Sequence, residues 1–519
     1  MELIRKPIHY TQAGKNIFHQ FYHDEDYNVP EQREDVGRII CGSAGLRSSD
    51  IRPVENGIRI TGALDFHILY MTSSGDPKPA ALEGKIPFEE TVYTETDGNE
   101  TFYLCNARVE FTPVLINGRK LMLKFMAEME LGREWIRDAE LTENVESDVP
   151  LCRKMRKMNL LKLMVSKKDT YRIREEVALP GTKESIGQIL VTDVSLRRLD
   201  IRPGQDEISL RGELQIFCMY LSAGEKADWF EQSVPFEGRV LCDGVTEGMY
   251  YHIRHDLTDI LTDIRPDEDG ELRLIGIEGM LTLEMHIFEE EETEILEDLY
   301  SLEQVCTYKT SGTDLEELLM QNRSGCRVAE RLTLPELKDD VLQILHSTGT
   351  IQVERKEYVP EGIRIEGILH LSFLYLKSSD EEPYGNWQGM VPFSYLVEYP
   401  DLPENVSDSM ACHVEQLSVG LAGSGTVEVK ALLSFDVFLR KMIPVQVITE
   451  VSLAPQDMEK AAAAPGIVGH IVQDGEDLWG LARKYMTTVE GIMEINGLSG
   501  EKVSPGDKLL IFKENVSIL

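Results

Sequence analysis

Histidine, cysteine and carboxylate side chains could ligate a metal, supply a nucleophile or move a proton, and this chain has 11 His, 8 Cys and 90 Asp+Glu. Their spacing suits none of these tasks. The histidines form no His-Glu-x-x-His and no cluster at metal-ligand spacing, so no metal site is expected. The cysteines at 41, 105, 152, 218, 242, 306, 326 and 412 include no Cys-x-x-Cys pair. Most sit inside apolar strand-like runs such as QIFCMYL around Cys218, where a reduced thiol packs as a small hydrophobe. No Gly-x-x-x-x-Gly-Lys-Ser/Thr loop is present to cradle phosphates and no Gly-x-Ser-x-Gly elbow to present a serine. The glycine-rich run Gly420, Gly423, Gly425 precedes a strand instead of opening a helix, which favours a hairpin turn. With so many carboxylates two can always be paired as acid and base, so such a pairing without a motif assigns nothing. No enzymatic activity and no cofactor are expected.

Charge narrows the partners. Lys+Arg number 53 against those 90 acids, a net charge of −37, so a nucleic acid would be repelled over most of the surface. The acidic run Glu289–Glu292 with Glu294 ends a strand of the second repeat and reads as a solvated face or loop in preference to a partner-docking patch. Arg153, Lys154, Arg156, Lys157 and Lys162, among Met155, Met158, Leu160 and Leu161, read as a basic amphipathic helix at a junction. Such a patch could touch an anionic membrane or simply keep its cations in water. The first twenty residues lack the apolar core of a secretory signal, and nowhere do about 18 apolar residues run together. A cytosolic location is the expectation.

The elements carrying these residues repeat. NGIRITGALDFHILYM (56–71) returns as DEISLRGELQIFCMYL (206–221) and EGIRIEGILHLSFLYL (361–376). Gly62, Gly212 and Gly367 are separated by 212 − 62 = 150 and 367 − 212 = 155 residues. Each lies 32 residues after a proline (Pro30, Pro180, Pro335), and each is followed by Pro87-Phe88, Pro235-Phe236 or Pro392-Phe393. The apolar period within a copy is two, so the copies read as antiparallel β-rich domains, sandwich or barrel. Helical spacing is confined to 153–165 and 314–322, at the junctions. The expected boundaries are 1–155, 156–310 and 311–454, followed by a linker over 455–466. Repeats of this size exceed the 20–50 residues of solenoid units, and read as three self-sufficient beads with several docking faces.

The tail has another rhythm. A strand at His470–Gln473 leads to a helix with Asp477 as N-cap and Leu478, Leu481, Ala482 and Tyr485 on one face. Thr488 caps a second helix, with Val489, Ile492, Met493 and Asn496 on its buried face, and Pro505-Gly506-Asp507 turns into a strand Lys508–Phe512. This strand, helix, helix, strand order over 467–515, with Gly475-Glu476-Asp477-Leu478-Trp479 and Pro505-Gly506, resembles the LysM domain. The resemblance implies a shallow groove for N-acetylglucosamine glycans such as peptidoglycan. It would be lined by Gly475, Glu476, Asp477 and Leu478 on one side and Ile495, Asn496, Gly497 and Leu498 on the other. Glu476-Asp477 departs from the family's usual Asp-Thr or Asp-Ser, and Met486 from a frequent glycine.

The whole chain, mainly β with three tandem repeats and a LysM tail, resembles the SPOCS-type, spore-coat-associated repeat family with a C-terminal LysM, the SipL class. The resemblance implies a non-enzymatic scaffold in the mother-cell cytosol at the forespore surface. Its implied partner is the coat-morphogenesis ATPase, linked by it to coat and cortex assembly, with peripheral contact to the forespore membrane left open. The alternative is a LysM protein of the cell wall or cortex that binds peptidoglycan.

Overall fold

The computed structural model describes residues 1–337, 341–423, 425–456 and 466–513. The period-two runs are strands. The first unit holds β1 (Glu2–Ala13), β2 (Ile17–Asn28), β3 (Val36–Val54), β4 (Gly57–Thr72), β5 (Pro79–Tyr93), β6 (Thr101–Asn117) and β7 (Lys120–Glu146). The second holds β8 (Cys152–Ala178), β9 (Ile186–Pro203), β10 (Glu207–Ser222), β11 (Ala227–Leu241), β12 (Tyr250–Pro266) and β13 (Leu272–Tyr300). The third holds β14 (Gln304–Thr333), β15 (Val341–Val359), β16 (Gly362–Lys377), β17 (Tyr384–Glu398), β18 (Val406–Gly423) and β19 (Thr426–Pro455). Each unit pairs a three-stranded sheet, such as β3-β4-β5, with a second sheet built on its last long strand, such as β7 between β2 and β6. The core lies between the two sheets: Ile58, Phe66 and Phe88 of one face Phe21, Leu121 and Phe125 of the other.

Register explains the repeat signature. Gly62, Gly212 and Gly367 sit directly opposite Phe88, Phe236 and Phe393, so the phenylalanine of each Pro-Phe pair lies over the glycine of the neighbouring strand. A Cβ there would meet the ring at 2.8, 2.8 and 2.7 Å. At Gly62 it would also come within 2.2 Å of the Arg47 carbonyl oxygen, which cannot swing away. Gly62→Ala should therefore cost about 1–3 kcal/mol of stability, read as a lower denaturant midpoint, while no change would remove this account of the glycine. The tyrosine closing the motif is a buried tether: Tyr70 and Tyr220 hydroxyls donate to the Glu34 and Glu184 carbonyls at 3.0 and 3.3 Å.

Both expected junction helices are strands. Residues 153–165 belong to β8 and 314–322 to β14, each paired along its full length with β13 or β19. The acidic run lies within β13, not at its end, and directly across from the basic run: Glu289 faces Lys162 and Glu294 faces Lys157. Lys157 lies 3.1 Å from Glu294 and 3.4 Å from Glu292. Helical spacing was compatible with the apolar residues, but opposite charges on adjacent strands and a buried apolar face decided for the ribbon. These strands start at Cys152 and Gln304, so sheet pairing divides the chain a few residues before 155/156 and 310/311.

The units do not hang as beads. Outside its sandwich each long strand continues as part of a two-stranded ribbon (β1 with β7, β8 with β13, β14 with β19), which alone would be marginal in water. The three ribbons bury their apolar faces on one another: Tyr10, Leu160 and Leu315, spaced by the repeat lengths 150 and 155, share one cluster. Leu69, Met219 and Leu374, with the same spacing, share another. Equivalent positions meeting at common points place the units in a closed ring about a pseudo-threefold axis. Polar contacts repeat likewise: Arg47 bridges to Asp259 between units one and two, and Arg197, 150 residues later, donates to the Val414 carbonyl between two and three. Units one and three are joined by Thr142 Oγ1 donating to the Ile448 carbonyl at 2.6 Å.

Between units two and three, the His255 and His413 rings stack with centroids 4.5 Å apart. They share a cavity of about 250 Å³ with Arg323 and Glu415, and Asp436 acts on His413. Burial, the neighbouring His413 and Arg323 push His255 down to about 3. A depressed histidine contributes fully above its unfolded value of 6.5 and loses that contribution as pH falls towards the folded value. Between pH 6.5 and 5, where most carboxylates stay ionised, the melting temperature should fall less for His255→Leu than for the natural chain. Parallel curves would mean the pair does not titrate as described.

Candidate functional site

The tail folds as β20 (Ile467–Ile471), α1 (Leu478–Tyr485), α2 (Val489–Asn496) and β21 (Lys508–Phe512), with β20 and β21 antiparallel. The first strand ends at Ile471, two residues before the expected Gln473, because Val472 already pairs with the 506–507 turn. Asp477 caps α1 by accepting from Gly480 N–H at 2.8 Å, and Thr488 caps α2 by accepting from Gly491 N–H at 3.1 Å. Met486 ends α1 in the left-handed region, φ +58°, where a glycine would be unstrained. Of the 455–466 linker, 457–465 lie outside the described residues, as do 514 and 515 of the tail.

The eight residues expected to line the groove divide by environment. Leu478 is buried in the core, and Leu498 packs against the same core, which brings the two loops side by side. Asn496 locks α2 to β21: its amide donates to the Ile492 and Leu510 carbonyls, both at 2.8 Å, and accepts from Leu510 N–H at 2.7 Å. Glu476, the departure from the family pattern, accepts from Gln473 N–H at 3.0 Å and lies 2.6 Å from His470 Nε2. These two contacts, the amide foremost, hold its carboxyl below the usual range. The extra charge at the groove lip is thus tied into the turn. Asp477 adds to its capping role an ion pair with Lys154 at 3.5 Å. Gly475, Ile495 and Gly497 remain exposed.

The contact that sequence reading missed is the docking of this module on the ring. Asp298, near the end of β13, accepts from Trp479 Nε1 at 2.8 Å, from Arg483 Nη1 at 2.9 and 3.0 Å, and from Tyr308 O–H at 2.7 Å. Tyr300 donates to the Thr487 carbonyl at 2.7 Å and meets the Trp479 ring edge-on, centroids 4.9 Å apart. One carboxylate therefore gathers donors from α1 and from β14. The only sequence cue was that β13 ends in a tyrosine where β7 and β19 end in Glu146 and Pro455.

A ring of three β-rich units that clasps one strand-helix-helix-strand module is a multidomain architecture. Comparison with known families agrees. The family described as SipL, SPOCS domain matches residues 185–265 and 340–422, and the LysM domain matches residues 470–512. The chain thus carries two SPOCS-domain regions of the SipL type and a C-terminal LysM domain. The two SPOCS matches span β9 to β12 and β15 to β18, and β3 to β6 are built alike in the first unit. No curated protein and no solved structure matches the chain. SPOCS and LysM are binding, non-catalytic domain types, and the pair marks a sporulation-related protein with peptidoglycan-binding capacity. Among the described residues no group of three or more His, Cys, Asp or Glu is placed to hold a metal, and no helix is long and apolar enough to cross a membrane.

Proposed function

We propose that this chain is a non-enzymatic scaffold of endospore formation, working in the mother-cell cytosol at the forespore surface. In this reading it links the coat-morphogenesis ATPase layer to coat and cortex assembly. Its three β-rich units part just before β8 and β14, the third runs through Pro455, and the LysM domain starts at Ile467. The observation that carries the reading is the docking through Asp298: a module fixed to the ring transmits a hold on one partner to surfaces that hold others. Its exposed groove lip, Gly475, Ile495 and Gly497, is the contact for the ATPase, while Glu476, Asp477, Leu478, Asn496 and Leu498 shape it. The second reading, peptidoglycan binding, draws on the LysM domain type itself.

Sedimentation of the purified full chain with peptidoglycan and, separately, its titration with the purified ATPase decide between the two. ATPase binding without sedimentation supports the scaffold, and sedimentation without ATPase binding supports the wall protein. Ile495, 43% exposed, bears on the site directly: Ile495→Asp should weaken binding of the true partner about tenfold with an unchanged melting temperature. Unaltered affinity would move the site off this lip.

A further inference from the structure

The outer face of the β2-β7-β6 sheet in the first unit carries large apolar side chains at positions where its two siblings do not, and we infer that this face docks a different protein whose apolar contacts are flanked by Lys and Arg. Counting back 12 and 8 residues from the repeat prolines, Phe18 and Tyr22 correspond to Lys168 and Arg172 in the second unit and to Arg323 and Arg327 in the third. Strand register extends the comparison. Met122 pairs with Val114, the equivalent Gly276 with Asp263, and the equivalent Glu428 with Gly420. At all four positions the first unit alone carries a large apolar side chain. Direct cross-strand pairing of Tyr22 with Met126, and of Met122 with Val114, puts these residues on one face. The other face holds Phe21, Leu121 and Phe125 of the core, so sandwich packing does not require the outer ones.

These side chains stay largely in water: Phe18 is 75% exposed, Tyr22 72% and Val114 41%. The siblings serve as an internal control, showing that the same backbone is built with polar residues there. Retaining apolar ones costs solubility unless something covers them. Charge selects the occupant. Asp24, Asp26, Glu128 and Glu130 lie on this face between and beside the apolar side chains; of its cations, Arg108 is bridged to Glu110 and Glu128, Lys120 to Asp26 at 2.7 Å, and Lys124 sits across from Asp24. A second copy would bring the same carboxylates and another net charge of −37 against them. A partner with apolar contacts flanked by basic side chains satisfies both the apolar residues and the carboxylates beside them.

The test uses the full chain with a photoreactive benzoylphenylalanine in place of Tyr22, irradiated in sporulating cells. The protein crosslinked is then purified and titrated against the natural chain and two variants: Phe18→Lys/Tyr22→Arg/Val114→Asp, which carries sibling-type residues, and the neutral Phe18→Ser/Tyr22→Ser. Melting temperatures verify that both remain folded. The proposal expects one heterologous partner, bound at least about tenfold more weakly by both variants and more weakly at high salt. A crosslink only to a second copy, with concentration-dependent dimers in sedimentation, overturns it. So does the absence of any crosslink, or a purified partner that binds the variants as tightly as the natural chain.

Discussion

Replacing Arg440 by Met should destabilise the chain by about 3–5 kcal/mol, the largest effect expected of any single substitution, because it strands a carboxylate inside the ring. Arg440, on β19, places Nη1 2.9 and 3.1 Å from the two carboxylate oxygens of Glu316 on β14 and 2.8 Å from Thr11 Oγ1 of the first unit. Its Nη2 donates to Ser409 Oγ at 3.1 Å. The two charged side chains are only 4% and 1% exposed. Burial already pushes the Glu316 carboxyl above its usual range, against the pull of Arg440. Without the guanidinium it is raised further. An acid whose folded value is raised gains stability by taking up a proton, so the deficit of Arg440→Met should be full at neutral pH and shrink as pH falls towards the unfolded value of 4.5. Adding Glu316→Leu should recover most of the loss, since removing both partners of a buried pair is often near neutral. Denaturant unfolding of the single and double variants reads this out; equal losses in both would show that the pair does not act as a unit.

Asp298→Ala should release the LysM domain from the ring while leaving both folded. The carboxylate collects donors from Trp479, Arg483 and Tyr308, and is 19% exposed, so the loss of docking free energy should be about 2–4 kcal/mol. The chain has four tryptophans, and one indole N–H resonance, that of Trp479, should move towards its solvent-exposed position. Amides of α1 and of the β13 end should exchange faster, with the melting of the ring unchanged. An unmoved indole signal would mean the Tyr300 contacts hold the module without Asp298. Partner binding in this variant is informative too. Affinity that rises on release would place the partner on the α1 face, now covered, while affinity that holds would leave it on the Ile495 lip.

The repeat and the tail were legible because their signals are local. A glycine that must lie under a phenylalanine, a tyrosine that must reach one carbonyl and two helix caps with their i, i+3, i+4 faces each reflect contacts within a few strands or turns. The run at 153–165 misled for the opposite reason. Its basic residues face carboxylates some 130 residues away on β13, and a spacing that fits a helix face says nothing about such a neighbour. Asp298 was invisible on the same ground: one carboxylate among 90, its role set by a tryptophan and an arginine some 180 residues further along.

Composition and periodicity by themselves therefore determined the β-rich repeat, the strand-helix-helix-strand tail and the lack of a catalytic motif, since each follows from side-chain alternation, turn chemistry and capping within short stretches. Tertiary structure alone decided that the three units close into a ring, that the junctions are ribbons and that the LysM domain is clasped. Those outcomes depend on which apolar faces and which opposite charges meet when distant segments are brought together, and burial rewards that meeting irrespective of separation along the chain.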